Sequence, residues 1–215
     1  MTSFRNLIFD IDGTLLDSRR DIAAAQLWTF RQLGVNHLQP EDVYPLIGRP
    51  LAETFTKLLP AELHARIPEA VIWYRDYYRA HALDTTTLFP GVRDGLAALH
   101  GKGVKLGTAS TKSTGTSARV LEHFGVAQFF VQIQGNEEGF PFKPDPFILN
   151  KIIREQGWKK KETMMVGDTD YDIEAGKRAG VATCAVTYGS LSRSELEPFR
   201  PNCLADSFTD LVRLF

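Results

Sequence analysis

Cysteine is nearly absent from this chain. Two, Cys184 and Cys203, occur in 215 residues, at a spacing that fits no metal-binding motif. That excludes a disulfide-stapled scaffold and makes a reducing compartment, the cytoplasm, the expected location. Charge of one sign is lacking too. Lys and Arg number 25 against 26 Asp and Glu, for a net charge of −1. That balance gives no broad attraction to nucleic acid or to an anionic membrane. No apolar run approaches the length of a membrane span. The first strand pattern begins within a few residues of Met1, leaving no room for a signal peptide. A Walker-type loop, G-x-G-x-x-G, H-E-x-x-H, internal repeats and low-complexity tracts are also missing. Nucleic acid and membrane are therefore not expected partners, and oligomeric state is not legible.

What is present is a core-forming composition, 43% apolar, in a chain long enough for one large domain with a modest insertion. From residue 90 onward strand and helix patterns alternate. Strands are expected at 104–110, 129–133, 163–168 and 181–186, with helices near 113–124, 145–156 and 170–179. With residues 5–11 this gives at least five strands, and the alternation argues for an α/β protein with a doubly wound parallel sheet. Residues 19–83 differ. They carry long helical patterns punctuated by Gly and Pro and no convincing strand. They read as an α-helical domain inserted after the first strand, leaving 1–18 and 84–215 as the core.

The stretch "LIFDIDGTLLDS", residues 7–18, ends a buried strand in two acids. If strand geometry persists, Asp10 and Asp12 share one side and Ile11 takes the other. Two carboxylates about 5 Å apart repel by roughly 3 kcal/mol at an effective dielectric of about 20. A proton on one of them, or a cation between them, would offset that. Ligands of open α/β sheets bind at the carboxyl ends of the strands. There the other strands bring Thr108 and Ser110, with Thr111, Lys112 and Ser113 at a helix start, then Lys143 in "FKPDP", then Asp168, Asp170 and Asp172. Acids, hydroxyls and a lysine on one rim suit a phosphate with a divalent cation. An EF-hand loop does not fit. Its required Gly and Glu positions fall on Ile173 and Ala179 counted from Asp168, and on Leu15 and Asp21 counted from Asp10.

Together these motifs resemble those of haloacid-dehalogenase-superfamily phosphatases, in particular the phosphoglycolate-phosphatase-like group with a helical cap. "DIDGTLLDS", "LGTASTKS", "KPDP" and "VGDTDYDIEAG" match the superfamily's four motifs in order, along essentially the whole chain. One departure is "STK" at 110–112, where many relatives carry Thr-Asn-Lys. The resemblance implies a Rossmann-like core and Mg2+-dependent hydrolysis of a small phosphomonoester, best matched by 2-phosphoglycolate. It implies Asp10 as nucleophile, forming an aspartyl-phosphate, and Asp12 as general acid and then base. Ser110 and Lys143 would grip the phosphoryl group, with Thr111 beside them. Asp10, Asp168, Asp172 and the Asp12 carbonyl would serve Mg2+. Arg49, at the Gly/Pro-flanked corner "IGRPL", is a candidate substrate contact from the cap. Lys112 reads as a solvated or helix-terminal charge, Asp170 as a helix-start acid, and Asp17 as loop structure. Tyr74, Tyr77, Tyr78 and His81, at helical spacing, read as cap core. Alternatives within the superfamily are a β-phosphoglucomutase-like phosphomutase, a nucleotidase and a pyrophosphatase. A dehalogenase typically lacks the second acid, which Asp12 supplies, and a catalytically silent phosphate sensor would have lost Asp10 or Asp12.

Overall fold

The structure, a computed structural model, describes residues 4–215. Its strands are β1 (Asn6–Phe9), β2 (Leu16–Asp17), β3 (Thr87–Leu88), β4 (Lys105–Ser113), β5 (Phe130–Asn136), β6 (Thr163–Gly167), β7 (Ala182–Val186) and β8 (Cys203–Ala205). Its α-helices are α1 (Arg19–Gln32), α2 (Pro40–Val43), α3 (Leu51–Leu58), α4 (Ile67–His81), α5 (Val92–Gly101), α6 (Thr114–His123), α7 (Phe147–Glu155), α8 (Asp170–Ala179), α9 (Arg193–Leu196) and α10 (Phe208–Val212).

Six strands form one parallel sheet in the order β5-β4-β1-β6-β7-β8, and β2 pairs with β3. Strand β1 lies at the centre, and every one of its residues is buried, as a parallel strand covered on both faces requires. Alternation divides its side chains. Ile8 joins a cluster with Ile148, Leu149 and Ile152 of α7 and Ala175 of α8. Phe9 stacks on Phe208 of α10 at 5.8 Å and meets Phe130 edge-on at 6.4 Å. After β1 the chain builds β4 and β5 to one side, then returns to build β6, β7 and β8 on the other. The strand order therefore reverses at the carboxyl end of β1, which is where a doubly wound sheet opens a crevice.

Two local expectations are corrected. Strand β1 stops at Phe9, so Asp10 and Asp12 are not consecutive same-side residues of a strand. Gly13, at φ +83°, turns the chain, and the Ile11 carbonyl accepts hydrogen bonds from the Leu15 and Leu16 amides at 2.8 and 2.9 Å. Strand β4 runs on to Ser113, so Thr111 and Lys112 lie within the strand rather than at a helix start. Ser113 caps α6 by accepting from the Thr116 amide at 3.3 Å. The short edge strand β8 carries too weak a pattern to be expected from sequence.

The chain divides into two compact units. One holds the described residues up to Asp17 together with Leu88–Phe215, and the other is Ser18–Thr87. The second is helical, and its core includes Phe30, Phe55, Val43, Tyr74 and Tyr78. Tyr74 and Tyr78 stack at 5.5 Å. Tyr77 is only half-buried, between Trp28 at 4.7 Å and His81 at 4.2 Å, and His81 reaches Asp84 at 2.8 Å.

In this helical unit one carboxylate fixes the returning chain. Asp21, in the first turn of α1, accepts hydrogen bonds from the amides and hydroxyls of both Thr85 and Thr86, at 2.7–3.1 Å. Burial works to raise its carboxyl, and these bonds outweigh it, so the group sits below its ordinary value. A depressed carboxyl contributes stability that is present above roughly pH 4, its unfolded value, and lost as pH falls further. Asp21→Asn is therefore expected to cost about 1–3 kcal/mol at pH 7. The gap from wild type should narrow at pH 3, as read by urea unfolding at the two pH values. A gap of the same size at both would show that the charge is not what matters.

Candidate active site

Four backbone devices deliver side chains to the crevice at the end of β1. The Asp10 amide donates to the Val166 carbonyl at 2.9 Å, which extends the β1–β6 ladder one residue past the strand and fixes where Asp10 emerges. Lys143 stands in a turn closed by the Asp145 amide donating to the Phe142 carbonyl at 3.0 Å. Asp145 in turn accepts the Phe147 amide at 2.8 Å and so starts α7. Strand β6 hands the chain to Asp168. Asp172 then sits in the first turn of α8, where its Oδ2 accepts from the Thr169 hydroxyl at 2.7 Å and the Thr169 amide at 3.1 Å.

The Lys143 ammonium joins these pieces. Its Nζ donates to Asp10 Oδ1 at 2.9 Å and to Asp172 Oδ1 at 2.6 Å, with only 2% of the side chain exposed. Asp172 thus uses one oxygen to cap a helix and the other to hold the lysine. Burial pushes the Asp10 carboxyl well above its ordinary value. Lys143 pulls it back, while Asp172, Asp168 and Asp12 push it up further. Burial alone would lower the lysine, but Asp10 and Asp172 outweigh it and keep Lys143 above its ordinary value, hence protonated. The Asp168 carboxyl is pushed up to about 6, chiefly by burial and then by Asp172, against hydrogen bonds from Ser190 and Thr14.

Asp168 is gripped at both oxygens. The Thr14 hydroxyl donates to Oδ1 at 3.0 Å and the Ser190 amide to Oδ2 at 2.7 Å. Tyr188 steadies the first of these by donating its hydroxyl to the Thr14 carbonyl at 2.9 Å. Three glycines let backbone approach the acids. A Cβ on Gly13 would fall 2.0 Å from Asp168 Oδ2, one on Gly189 2.4 Å from Asp168 Cβ, and one on Gly167 2.2 Å from Asp172 Cγ. Sequence reading missed Thr14 and the Tyr188-Gly189-Ser190 loop. The signal in hand was "YGS" directly after a strand, a glycine at the same rim as the acids.

The remaining candidates make other contacts. The carboxylate of Asp12 pairs with Lys112, Nζ to Oδ2 at 3.2 Å, with 7% and 8% of the two side chains exposed. Lys112 is therefore not a solvated charge, because the extension of β4 past Ser110 carries it to the rim. Ser110 is buried, and its Oγ accepts the Lys112 amide at 3.2 Å. Thr111 is half-buried beside it. Asp170 opens α8, as expected of a helix-start acid, and Asp17 belongs to β2 rather than to a loop. Arg49 lies in the helical unit, where it pairs with Glu53 at 3.1 Å.

The donor set suits a hard cation. One oxygen from each of Asp10, Asp168 and Asp172 lies within 4.8 Å of the others, and all three residues are buried. Carboxylate oxygens alone, in a site whose acids exceed its one bridging lysine, match the preference of Mg2+ over softer metals. The residues present therefore fit such an ion.

Three comparisons bear on this geometry. A sequence profile described as haloacid dehalogenase-like hydrolase matches residues 7–186. The chain is 34% identical over 206 residues to pyrophosphatase PpaX of Halalkalibacterium halodurans, spanning 96% of this chain and 94% of that protein. It is 34% identical over 216 residues to a phosphoglycolate phosphatase of Vibrio vulnificus, spanning 96% and 93%. A solved haloacid dehalogenase-like hydrolase from Streptococcus pneumoniae superimposes with a TM-score of 0.91 at 28% identity, and the match covers 100% of each chain.

Close approach of Gly189 to Asp168 makes a specific demand on stability. Gly189→Ala places a methyl against the Gly13 carbonyl and the Asp168 side chain, and is expected to cost about 1–3 kcal/mol by overpacking. Denaturant unfolding measures it. An unchanged midpoint would mean that the loop yields without strain and does not clamp Asp168.

Proposed function

The chain belongs to the haloacid dehalogenase-like hydrolase family and is a phosphatase of that family, and we propose that it hydrolyses a small phosphate ester, with Mg2+, through an aspartyl-phosphate on Asp10. One observation carries this reading: a buried lysine bridging Asp10 and Asp172 within a buried acid cluster at the sheet's switch point.

In the proposed sequence an Asp10 carboxylate oxygen attacks phosphorus, and the bond to the leaving oxygen breaks. Asp12 gives that oxygen a proton as it departs. Asp12 then takes a proton from water, whose oxygen attacks the phosphorus of the aspartyl-phosphate and releases inorganic phosphate and the Asp10 carboxylate. Ser110 orients the phosphoryl group, and Lys143 meets the negative charge that spreads over its oxygens. Mg2+, served by Asp10, Asp168, the Asp12 carbonyl and Asp172, would add positive charge at the same oxygens.

The proposed substrate is 2-phosphoglycolate. Its support, beyond the Vibrio relative's name, is Lys112: a buried cation beside Asp12 favours a leaving group that carries its own negative charge. Pyrophosphate is the second reading, because its leaving group is also anionic and the Halalkalibacterium relative is named for it. Arg49 and Thr111 are proposed as further substrate contacts on their places in the sequence. A cytoplasmic location is proposed on the scarcity of cysteine. Among the described residues no helix is long and apolar enough to cross a membrane.

Turnover of these phosphate compounds should stop on chelation and return with Mg2+. Lys143→Met, confirmed folded by circular dichroism, should lower kcat/KM by roughly 100-fold or more, about 3 kcal/mol. Full activity in excess chelator, or near-normal kinetics in the folded variant, would overturn the reading.

A second prediction separates the two acids at the end of β1. Asp10→Asn should abolish turnover of every substrate. Asp12→Asn should slow the first turnover of an alkyl phosphate far more than that of nitrophenyl phosphate, whose leaving group departs stably as an anion. Rapid-mixing kinetics should show a nitrophenolate burst near one per site in the Asp12 variant. Equal slowing of both first turnovers would remove Asp12 from the general-acid role.

A further inference from the structure

The chain's two cysteines, 19 residues apart in sequence, meet in the fold. Cys184 of β7 and Cys203 of β8 are register partners on adjacent parallel strands. Such partners point to the same face of the sheet, and their Cα atoms are separated by the strand spacing of roughly 4.8 Å. That lies within the roughly 4.4–6.8 Å that a disulfide spans. The two thiols lie close enough to shift each other's acidity. Their surroundings differ. Cys184 is fully buried, whereas Cys203 is half-buried on the edge strand, where its thiol donates to the Thr183 carbonyl at 3.9 Å.

We propose that Cys184 and Cys203 are a peroxide-sensitive dithiol pair that closes to an intrachain disulfide between β7 and β8. Cys203 reacts first, because it is the accessible member. Its thiolate attacks one oxygen of hydrogen peroxide, the O–O bond breaks, hydroxide leaves, and Cys203 becomes a sulfenic acid. The Cys184 thiol then attacks the Cys203 sulfur. A sulfur–sulfur bond forms, and the sulfenic oxygen leaves as water with the thiol's proton. Two thiols are oxidised and one peroxide is reduced to water. Its neighbour Cys203 and burial push the Cys184 thiol up, while Cys184 holds the Cys203 thiol below its ordinary value, toward the thiolate. A thiol in this position would otherwise proceed to irreversible acids, and a buried partner within reach diverts it to a reducible state. The bond would also tie the edge strand to β7, which runs directly into the Tyr188-Gly189-Ser190 loop that holds Asp168.

The test needs no catalytic assay. The full-length protein is treated with a small excess of hydrogen peroxide, denatured, alkylated and weighed. The expected product is a monomer two hydrogens lighter with no alkylatable thiol. Its digest should join the Cys184 and Cys203 peptides, and dithiothreitol should restore both thiols. Cys184→Ser, lacking the partner, should instead accumulate oxygen on Cys203. Three results would overturn the proposal: oxygen added to wild-type Cys203 while Cys184 stays alkylatable, a link between two chains, or two thiols untouched by peroxide.

Discussion

Everything at the carboxyl edge of the sheet depends on one buried cation meeting two buried anions. Isolated, each of the acids at Asp10, Asp168 and Asp172 would lose several kcal/mol of hydration on burial. The Lys143 ammonium, 2.9 Å from Asp10 and 2.6 Å from Asp172, offsets part of that loss. It does so from a turn that α7 anchors, so the charge pairing ties the β5–α7 connection to the ends of β1 and β6. What Lys143 leaves uncompensated shows in Asp10 and Asp168, both of which burial raises. A site held in that state favours a further cation and welcomes neutralisation of charge as phosphoryl transfer proceeds.

Side-chain economy is the second feature of the site. Asp172 closes the first turn of α8 with one oxygen and holds Lys143 with the other. A helix start and a charge bridge are thereby one structure, and the carboxylate has little freedom to rotate away. Thr14 extends the same logic. Its hydroxyl holds Asp168 while its carbonyl receives Tyr188, so the turn after β1 and the loop after β7 each position the other. Gly13, Gly167 and Gly189 make this density possible, since a side chain on any of them would occupy space taken by a carboxylate or its backbone.

The helical unit is built on different terms. It has its own apolar core, and its one heavily hydrogen-bonded acid, Asp21, acts on the returning segment at Thr85 and Thr86 rather than on any chemistry. The chain leaves the core unit at Asp17 and re-enters it at Leu88, in the two short strands β2 and β3. An insertion that enters and leaves at neighbouring points can vary without disturbing the parallel sheet.

The sequence by itself determined the α/β class, the buried central strand and the set of chemical groups at the rim. Each of these follows from local pattern: alternation, strand and helix periods, and the residue in which a strand ends. Legible too were Asp10, Lys143, Asp168 and Asp172 as one collection, because strands of a parallel sheet end on one side. Only the tertiary structure decided which of them touch. Lys143 meets Asp10 across 133 residues, and Thr14 meets Asp168 across 154. No local pattern encodes such pairings. The end of β1 at Phe9 was likewise invisible, because apolar alternation runs on through Ile11 while the ladder does not. Lys112 read as solvated because its burial comes from the extra length of β4, set by pairing with β5 rather than by its own residues. The β8 strand and the Asp168 clamp were missed for the same physical reason. Short segments gain their shape from partners distant in sequence, and the free energy that orders them lies in those partners.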